Sequence, residues 1–314
     1  MAVIPQDTQP ANTNPGELVV NWHMTEACNY ACRYCYSKWH SEAKGKELIH
    51  NADASHALLT EIYRHFSPEN PKNQTRLGMR WETLRLSLAG GEPLLHSQEV
   101  VQIAAQANAI GFNVSLITNG SHLTLPLMNK LAPLLSVLGL SIDSADASIN
   151  REIGRADRRS HVLVPEELTS IIEHGRKLNP NLRLKINTVV NALNFTENMG
   201  PLIGQLNPDK WKVLRMLPTV TSDLAIAAHE FAEYVDRHKT HGDLVTVEDN
   251  GDMVESYIMI DPSGRFFQNS LSGEGYRYSL PILNVGAEAA FRQINWQAKK
   301  FQARYRADHC ESLA

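Results

Sequence analysis

The chain has 314 residues, of which 43% are hydrophobic and 20% charged, so it is neither wholly disordered nor collagen-like. Its formal net charge of −4 argues against a protein that coats nucleic acid, because such proteins are basic. No run of about 18 apolar residues occurs, and residues 1–15 lack the basic start and apolar stretch of a signal peptide. We therefore expect a cytoplasmic protein with no membrane segment and no nucleic-acid partner.

Strand-like and helix-like segments alternate after residue 16, which is typical of a parallel sheet built from strand–helix units. Residues 1–16 are expected to form a flexible arm. Strands are predicted at 18–22, 84–88, 114–118, 137–142, 182–190 and 211–217, and helices at 51–66, 97–110, 123–131, 166–178 and 197–206. Since a closed barrel of this kind has eight strands, the pattern predicts an α/β fold, a partial (β/α)6 TIM-type barrel over residues 17–217.

The alternation changes after residue 217. A helix near 227–238 is followed by short predicted strands near 244–247, 257–260 and 265–268, and by terminal helices within 285–305. We expect residues 218–314 to form a C-terminal extension that covers the active site, and not a separate domain.

Three of the four cysteines, Cys28, Cys32 and Cys35, lie on one predicted loop after the first strand. A disulfide framework does not fit this distribution in a cytosolic chain. Three thiolates at C-x3-C-x2-C spacing hold three irons of a 4Fe–4S cluster and leave the fourth iron open to a substrate. The alternatives are a zinc knuckle and buried free thiols. The remaining cysteine, Cys310, is expected to be an unpaired thiol near the C-terminus.

Further polar and glycine-rich motifs end the next predicted strands. They are Gly90-Gly91-Glu92-Pro93, Thr118-Asn119-Gly120 and Ser141-Ile142-Asp143. The C-terminal ends of parallel strands are where barrel enzymes keep their chemistry, although GGEP alone is also a common turn.

The cysteine spacing, the aromatic residue before the last cysteine and the GGEP motif together resemble the radical S-adenosylmethionine (SAM) superfamily over residues 18–217. The resemblance implies that Cys28, Cys32 and Cys35 hold a 4Fe–4S cluster whose open iron binds SAM. One-electron reduction would then cleave SAM to methionine and a 5′-deoxyadenosyl radical. The implied SAM-binding residues are Gly90, Gly91 and Glu92 at the methionine amine, Ser141 and Arg155 at its carboxylate, and Asn119.

Strand alternation places basic side chains on the inner face of the predicted barrel, because successive residues point to opposite faces. The inward positions are Arg85, Ser87 and Ala89 on the second strand, Lys185 and Asn187 on the fifth, and Lys210 and Lys212 on the sixth. Inward cations are costly without partners, so they either pair with inward carboxylates or bind a polyanion. We favour a polyanion, and a triphosphate fits because Arg and Lys are the usual phosphate donors.

A closer resemblance, to the prokaryotic branch of the viperin-like family, rests on residues 21–36, 88–93, 140–155, 185–190 and 206–213. It implies abstraction of the 4′ hydrogen of a ribonucleoside triphosphate and loss of the 3′ hydroxyl as water. The product would be a 3′-deoxy-3′,4′-didehydro nucleotide, a chain terminator with antiviral use. The implied substrate-binding residues are Arg85, Lys185, Lys210 and Lys212 at the phosphates, with Ser87, Ala89 and Asn187 nearby. An electron donor such as flavodoxin or ferredoxin is the implied partner.

Two roles stay open at this point. Tyr257 matches a family tyrosine near the ribose and is predicted as a catalytic residue in the last reductive step, but a core strand aromatic is an equal alternative. Ala89 has no hydrogen-bonding side chain where animal relatives carry a serine, so we expect CTP and UTP both to be accepted. Rival interpretations are a radical SAM enzyme acting on another substrate, such as a peptide, and a non-catalytic nucleotide- or zinc-binding protein.

Overall fold

A computed structural model of the chain describes residues 15–37, 47–269 and 275–306. Most of the predicted N-terminal arm (residues 1–14) and Cys310 lie outside the described residues. Among the described helices, none combines the length and apolar character needed to cross a membrane.

The predicted strands and helices of the first two thirds of the chain are present. The strands are β1 (Glu17–His23), β2 (Thr83–Ala89), β3 (Asn113–Thr118), β4 (Val137–Ser141), β5 (Arg183–Val190) and β6 (Lys210–Arg215). The helices are α1 (Ala52–Phe66), α2 (Lys72–Leu77), α3 (Ser97–Ile110), α4 (Leu125–Leu131), α5 (Ala147–Ile153), α6 (Pro165–Leu178) and α7 (Gly200–Leu206). Of these, the short helices α2 and α5 are not predicted by the sequence pattern.

Strands β1 to β6 pair in parallel in chain order, and the predicted alternation holds along them. On β2, Leu84, Leu86 and Leu88 are almost fully buried in the core beneath the helices. The residues between them, beginning with Arg85, therefore face the inside of the sheet, where Val19 of β1 is the register partner of Arg85. The partial barrel is confirmed.

The C-terminal residues add strands to both ends of the same sheet. Their elements are α8 (Ala228–Arg237), β7 (Val245–Glu248), α9 (Asn250–Met253), β8 (Ile258–Ile260), β9 (Arg265–Asn269), β10 (Tyr276–Pro281), α10 (Ile282–Val285), α11 (Ala287–Phe291) and α12 (Ala298–Arg306). β7 pairs in parallel with β6, and β8 in parallel with β1, while β9 and β10 follow in antiparallel order. The parallel part of the sheet is therefore wider than the predicted six strands.

The two ends of the parallel part, β7 and β8, follow each other closely in sequence. The order of the described sheet is β10-β9-β8-β1-β2-β3-β4-β5-β6-β7, in which β7 and β8 are not neighbours. We call the opening between them the seam. Glu248 ends β7 and Tyr257 directly precedes β8, so these two side chains lie on opposite sides of the seam.

Candidate active site

The three predicted iron ligands lie on one loop that follows β1, residues 24–37, which we call the cysteine loop. Cys28 is exposed, Cys32 and Cys35 are half-buried, and none of the three forms a disulfide with a described residue. Asn119 Nδ2 donates to Cys28 Sγ over 3.9 Å. Burial raises the pKa of the Cys32 thiol to about 12, although the charge of Arg155 opposes this, so without a bound metal the thiol is protonated at pH 7.

The GGEP turn supports the cysteine loop through backbone contacts. Gly91 N donates to Thr25 O over 2.7 Å, and Glu92 N donates to Ala27 O over 2.8 Å. A Cβ on Gly91 would lie 2.3 Å from Ala27 O, and one on Gly90, at φ +144°, would lie 2.7 Å from Thr25 O. Both glycines are required by this close approach of two backbones, whatever else they contact.

A second glycine turn, which the sequence analysis missed, supports the other side of the loop. Ala31 N donates to Gly154 O over 3.0 Å, and Arg33 N donates to Ile153 O over 2.9 Å. Gly154 has φ +91°, and a Cβ there would lie 2.3 Å from Ala31 O. A glycine just after α5 is also an ordinary helix end, so its contact with the loop becomes visible only in the fold.

Glu92 braces the GGEP turn against the end of β3. Its side chain is fully buried and accepts hydrogen bonds from Thr118 Oγ1 (2.6 Å), Asn119 N (2.7 Å) and Leu94 N (2.9 Å). Burial raises the pKa of this carboxyl, while the three hydrogen bonds favour its ionised form. The carboxylate therefore fixes Asn119 beside the cysteines.

Arg155 anchors the cysteine loop to the end of β4. Its Nη1 donates to Ser141 O over 3.0 Å and its Nη2 to the Tyr34 hydroxyl over 2.9 Å. Asp143, which is fully buried, forms an ion pair with Arg155 and also accepts a hydrogen bond from Tyr34. Tyr34 is the aromatic residue before the last cysteine, so this contact gives a physical reason for that part of the motif.

A cavity of about 190 Å³ opens beside the cysteine loop at the ends of β3 and β4. Its polar wall includes Tyr30, Asn119, Ser141 and Arg155, and its apolar wall comes largely from residues 162–165 and the helices α6 and α7. One polar and one apolar side suit the amino-acid end and the flat base of SAM. We call Gly90, Gly91 and Gly154, which pack against the backbone of the cysteine loop, the glycine cradle. The three thiols, this cradle and the cavity together fit a 4Fe–4S cluster with SAM beside it.

The four predicted phosphate ligands come together inside the sheet. Lys185 on β5 is half-buried, and its register partner is Lys210, the first residue of β6. Burial lowers the pKa of Lys185 well below its ordinary value, and the charges of Lys212, Arg85 and Lys210 lower it further. Arg85 has a carboxylate partner, Glu17, at 3.1 Å. In the described ranges no carboxylate forms an ion pair with Lys185, and the charge of Glu248 offsets the effect of the three cations only in part.

Lys212 is the centre of a network that spans the seam. Its Nζ lies 2.5 Å from Glu248 Oε1 and donates to the Tyr257 hydroxyl over 2.6 Å. Arg304 of α12 pairs with the same Glu248 oxygen at 2.9 Å and stacks over the Tyr257 ring at 3.4 Å. Burial lowers the pKa of Lys212 to about 8 despite its carboxylate partner. Burial alone would raise the pKa of Glu248, but the two cations hold it well below its usual range.

Comparison with known proteins decides the family. The chain is 41% identical to an S-adenosylmethionine-dependent nucleotide dehydratase of Pseudoalteromonas ulvae over 297 residues, 95% of this chain and 96% of that protein. It is 42% identical to a protein of the same name from Psychrobacter lutiphocae, over 92% of this chain and 95% of that protein. The family model described as the radical SAM superfamily matches residues 22–179. The chain belongs to the radical SAM nucleotide dehydratase family.

Family membership confirms the predicted radical SAM enzyme class and its two cofactors, a 4Fe–4S cluster and SAM. A solved structure, native anSMEcpe with bound AdoMet, matches with a TM-score of 0.61 at 11% identity, covering 91% of this chain and 82% of that chain. At this identity the match concerns the fold, and it supports the partial barrel.

The remaining predicted substrate residues of this dehydratase family member lie on the inner face. Ser87 and Ala89 are buried there, and His23 of β1 is the register partner of Ala89. His23 contacts the ring of Phe267 edge-on, and burial lowers its pKa to about 3, so it is neutral at pH 7. His23 is not among the substrate-binding residues predicted from the sequence. Asn187 faces the same interior from β5, where it is half-buried.

Proposed function

We propose that the protein is a radical SAM dehydratase of ribonucleoside triphosphates. The observation that carries the proposal is a group of four inward cations that lie close to one another inside the sheet: Arg85, Lys185, Lys210 and Lys212. The cysteine loop lies at the C-terminal ends of the parallel strands, which we call the mouth of the sheet. The charges of Lys212, Arg85 and Lys210 on Lys185 are only partly offset by Glu248, and a triphosphate would supply a further anion. The names of the curated relatives agree with a nucleotide substrate.

Of the residues at the mouth of the sheet, one set would hold the 4Fe–4S cluster and another would bind SAM. Cys28, Cys32 and Cys35 would hold the 4Fe–4S cluster, which together with SAM supplies a 5′-deoxyadenosyl radical when both are bound. Predicted SAM contacts are Gly90, Gly91, Glu92, Asn119, Ser141 and Arg155. Asn119, Ser141 and Arg155 line the cavity. Gly90, Gly91 and Glu92 are not among its lining residues; the glycines pack against the cysteine loop, and Glu92 holds Asn119.

With the phosphates held deep in the sheet, the ribose would lie nearer the mouth. The nucleotide would lose the hydrogen at C4′ and, with one proton and one electron, the C3′ hydroxyl as water. Tyr257 is our candidate donor in this last step, supported by its hydroxyl lying 2.6 Å from Lys212 Nζ. The electron would come from a flavodoxin or ferredoxin. We further propose that the enzyme is cytoplasmic and makes chain-terminating antiviral nucleotides.

We propose CTP and UTP as the favoured substrates. The small, apolar side chain of Ala89 leaves the base edge without a hydrogen-bonding partner at that position, so discrimination between pyrimidines should be weak. The neutral His23 beside it is a further group that could face the base.

Substitution of Lys185 tests the proposed triphosphate site. Each charge-assisted contact contributes about 1.5–3 kcal/mol, so Lys185→Ala should weaken triphosphate binding about ten- to a hundredfold. Calorimetry with the cluster-loaded enzyme measures this, with the exposed Lys72→Ala of α2 as matched control. The parent ribonucleoside should bind poorly to the wild type, and equal affinity for nucleoside and triphosphate would refute the polyanion site.

A further inference from the structure

Three metal-ligating side chains that have no role in the proposed activity converge next to Glu26 of the cysteine loop. Among the described residues, one ligand atom from each of Glu47, His50 and His96 lies within 4.8 Å of the other two. We propose that these residues form a binding site for a zinc-class divalent cation. This proposal goes beyond the dehydratase activity and does not depend on it.

Glu47 and His50 are presented together by a short 3₁₀ turn, Leu48–His50. In such a turn, side chains three residues apart lie on the same face, and His50 Nε2 is 3.7 Å from Glu47 Oε2. The turn is held on the protein, because Leu48 N donates to Pro262 O over 2.9 Å. The two ligands therefore do not depend on a free loop for their positions.

His96 comes from a different element, the 3₁₀ turn Pro93–His96 that follows the GGEP motif. Its ring lies 4.7 Å from that of His50, at an angle of 81°. His96 Nε2 is buried and has no hydrogen-bond partner among the described residues. A buried imidazole nitrogen without a partner is unusual, and an ion is one of its ordinary explanations.

The ligand types determine the class of cation. Imidazole nitrogens favour Zn²⁺ and its transition-metal neighbours, whereas Mg²⁺ and Ca²⁺ prefer oxygen ligands. Two histidines and one glutamate make a three-ligand zinc set that leaves a fourth position for water. His50 is exposed, so water can reach that position. Zinc bonds of about 2.1 Å place tetrahedral ligand atoms roughly 3.4 Å apart, so donor atoms that lie within 4.8 Å of one another must close by at most about 1.4 Å.

A cation bound here would join two loops that border the cysteine loop. Glu47 Oε1 accepts a hydrogen bond from Glu26 N over 2.8 Å, which leaves Oε2 for the cation. His96 lies four residues after Glu92, the brace of the GGEP turn. The expected effect is therefore structural: the ion should stabilise the entry of the cysteine loop and take no part in the reaction.

Zinc titration of the cluster-loaded enzyme under anaerobic conditions tests the site, because the cluster then occupies the three cysteines. In competition with a chromophoric chelator we expect one equivalent of Zn²⁺ per chain, no competition by Mg²⁺, and a melting temperature raised by about 5 °C at a hundredfold excess over the dissociation constant. His96→Ala should weaken zinc binding at least about a hundredfold. His56→Ala, an exposed histidine on α1, should leave it unchanged.

A second variant protects the test against a folding defect at His96. His50→Gln changes an exposed side chain and should also abolish the zinc equivalent while iron content and circular dichroism stay at wild-type values. If wild type and both variants take up zinc equally, or if uptake disappears only when the three cysteines are changed to serine, the site does not exist.

Discussion

Replacing Glu248 by Gln should make the triphosphate bind more tightly and make the free enzyme less stable. Glu248 lies within 2.9 Å of Lys212 Nζ and Arg304 Nε, and the three side chains are at most 8% exposed. Lys212 is one of the proposed phosphate ligands. A triphosphate entering the sheet therefore competes with the Glu248 carboxylate for the same ammonium group.

Both effects follow from the buried ion pair. Removing the competing carboxylate releases a charge-assisted contact of about 1.5–3 kcal/mol, so affinity should rise about ten- to a hundredfold. The free variant keeps two buried cations without their anion, a situation that costs about 3–5 kcal/mol of stability. The pKa of Lys212, which burial already lowers to about 8, should fall further, so the measurement belongs at pH 6.5.

The assay pairs calorimetric titration of the cluster-loaded enzyme with melting curves, with and without triphosphate. The increase in melting temperature caused by triphosphate should be larger for Glu248→Gln than for the wild type. Asp236→Asn is the matched control, because it removes an ion pair with Lys239 whose side chains are 71% and 69% exposed. Weaker triphosphate binding by Glu248→Gln would mean that the carboxylate stays in the complex, and the competition would be refuted.

Three further outcomes test the cysteine loop and the core. Cys32→Ala should lose iron and SAM cleavage, whereas Arg33→Ala, which changes the exposed neighbour, should keep both. Normal iron content in Cys32→Ala would exclude Cys32 as an iron ligand. Gly91→Ala puts a Cβ 2.3 Å from Ala27 O and should lower the iron content. The control Gly204→Ala of α7 adds a Cβ with no atom within 4 Å and should not. Equal iron content in the two variants would contradict the claim that a glycine is required at position 91. Burial lowers the pKa of His65 to about 3, so its unfolded form gains protons below about pH 6.5, and the free energy of unfolding should fall by about 2 kcal/mol between pH 7.5 and 5. In urea titrations, His65→Gln should no longer show this fall in the free energy of unfolding, whereas the exposed His56→Gln should still show it. Identical pH profiles for the two variants would contradict a neutral His65.

The part of the fold that local pattern determines was predictable from sequence. Alternating leucines such as Leu84 and Leu86 mark β2 as a strand buried beneath helices, and Gly111 ends α3 as predicted. The widening of the sheet was not predictable. A strand near 257–260 is predicted, but β8 has three residues, all buried, and its partner β1 lies more than two hundred residues earlier, so local pattern does not indicate that the two pair.

The active site likewise has a part that was predictable from sequence and a part that was not. A motif identifies the cysteines and the GGEP turn because their spacing is local. The partners of Arg155 and Lys212 come from distant segments, so Asp143 and Glu248 acquire their roles only when the ends of β4 and β7 are placed beside them. The inward cations were predictable as a group, because alternation along three strands gives their direction without the fold.

The central claim is tested most directly by the products of anaerobic turnover. Cluster-loaded enzyme, SAM, a reductant and an equimolar mixture of ATP, GTP, CTP and UTP are incubated and analysed by mass spectrometry. We expect 5′-deoxyadenosine together with a CTP- or UTP-derived product lighter than its parent by one water. A product from ATP or GTP alone would overturn the pyrimidine preference. Cleavage of SAM that consumes none of the four triphosphates would contradict a triphosphate dehydratase.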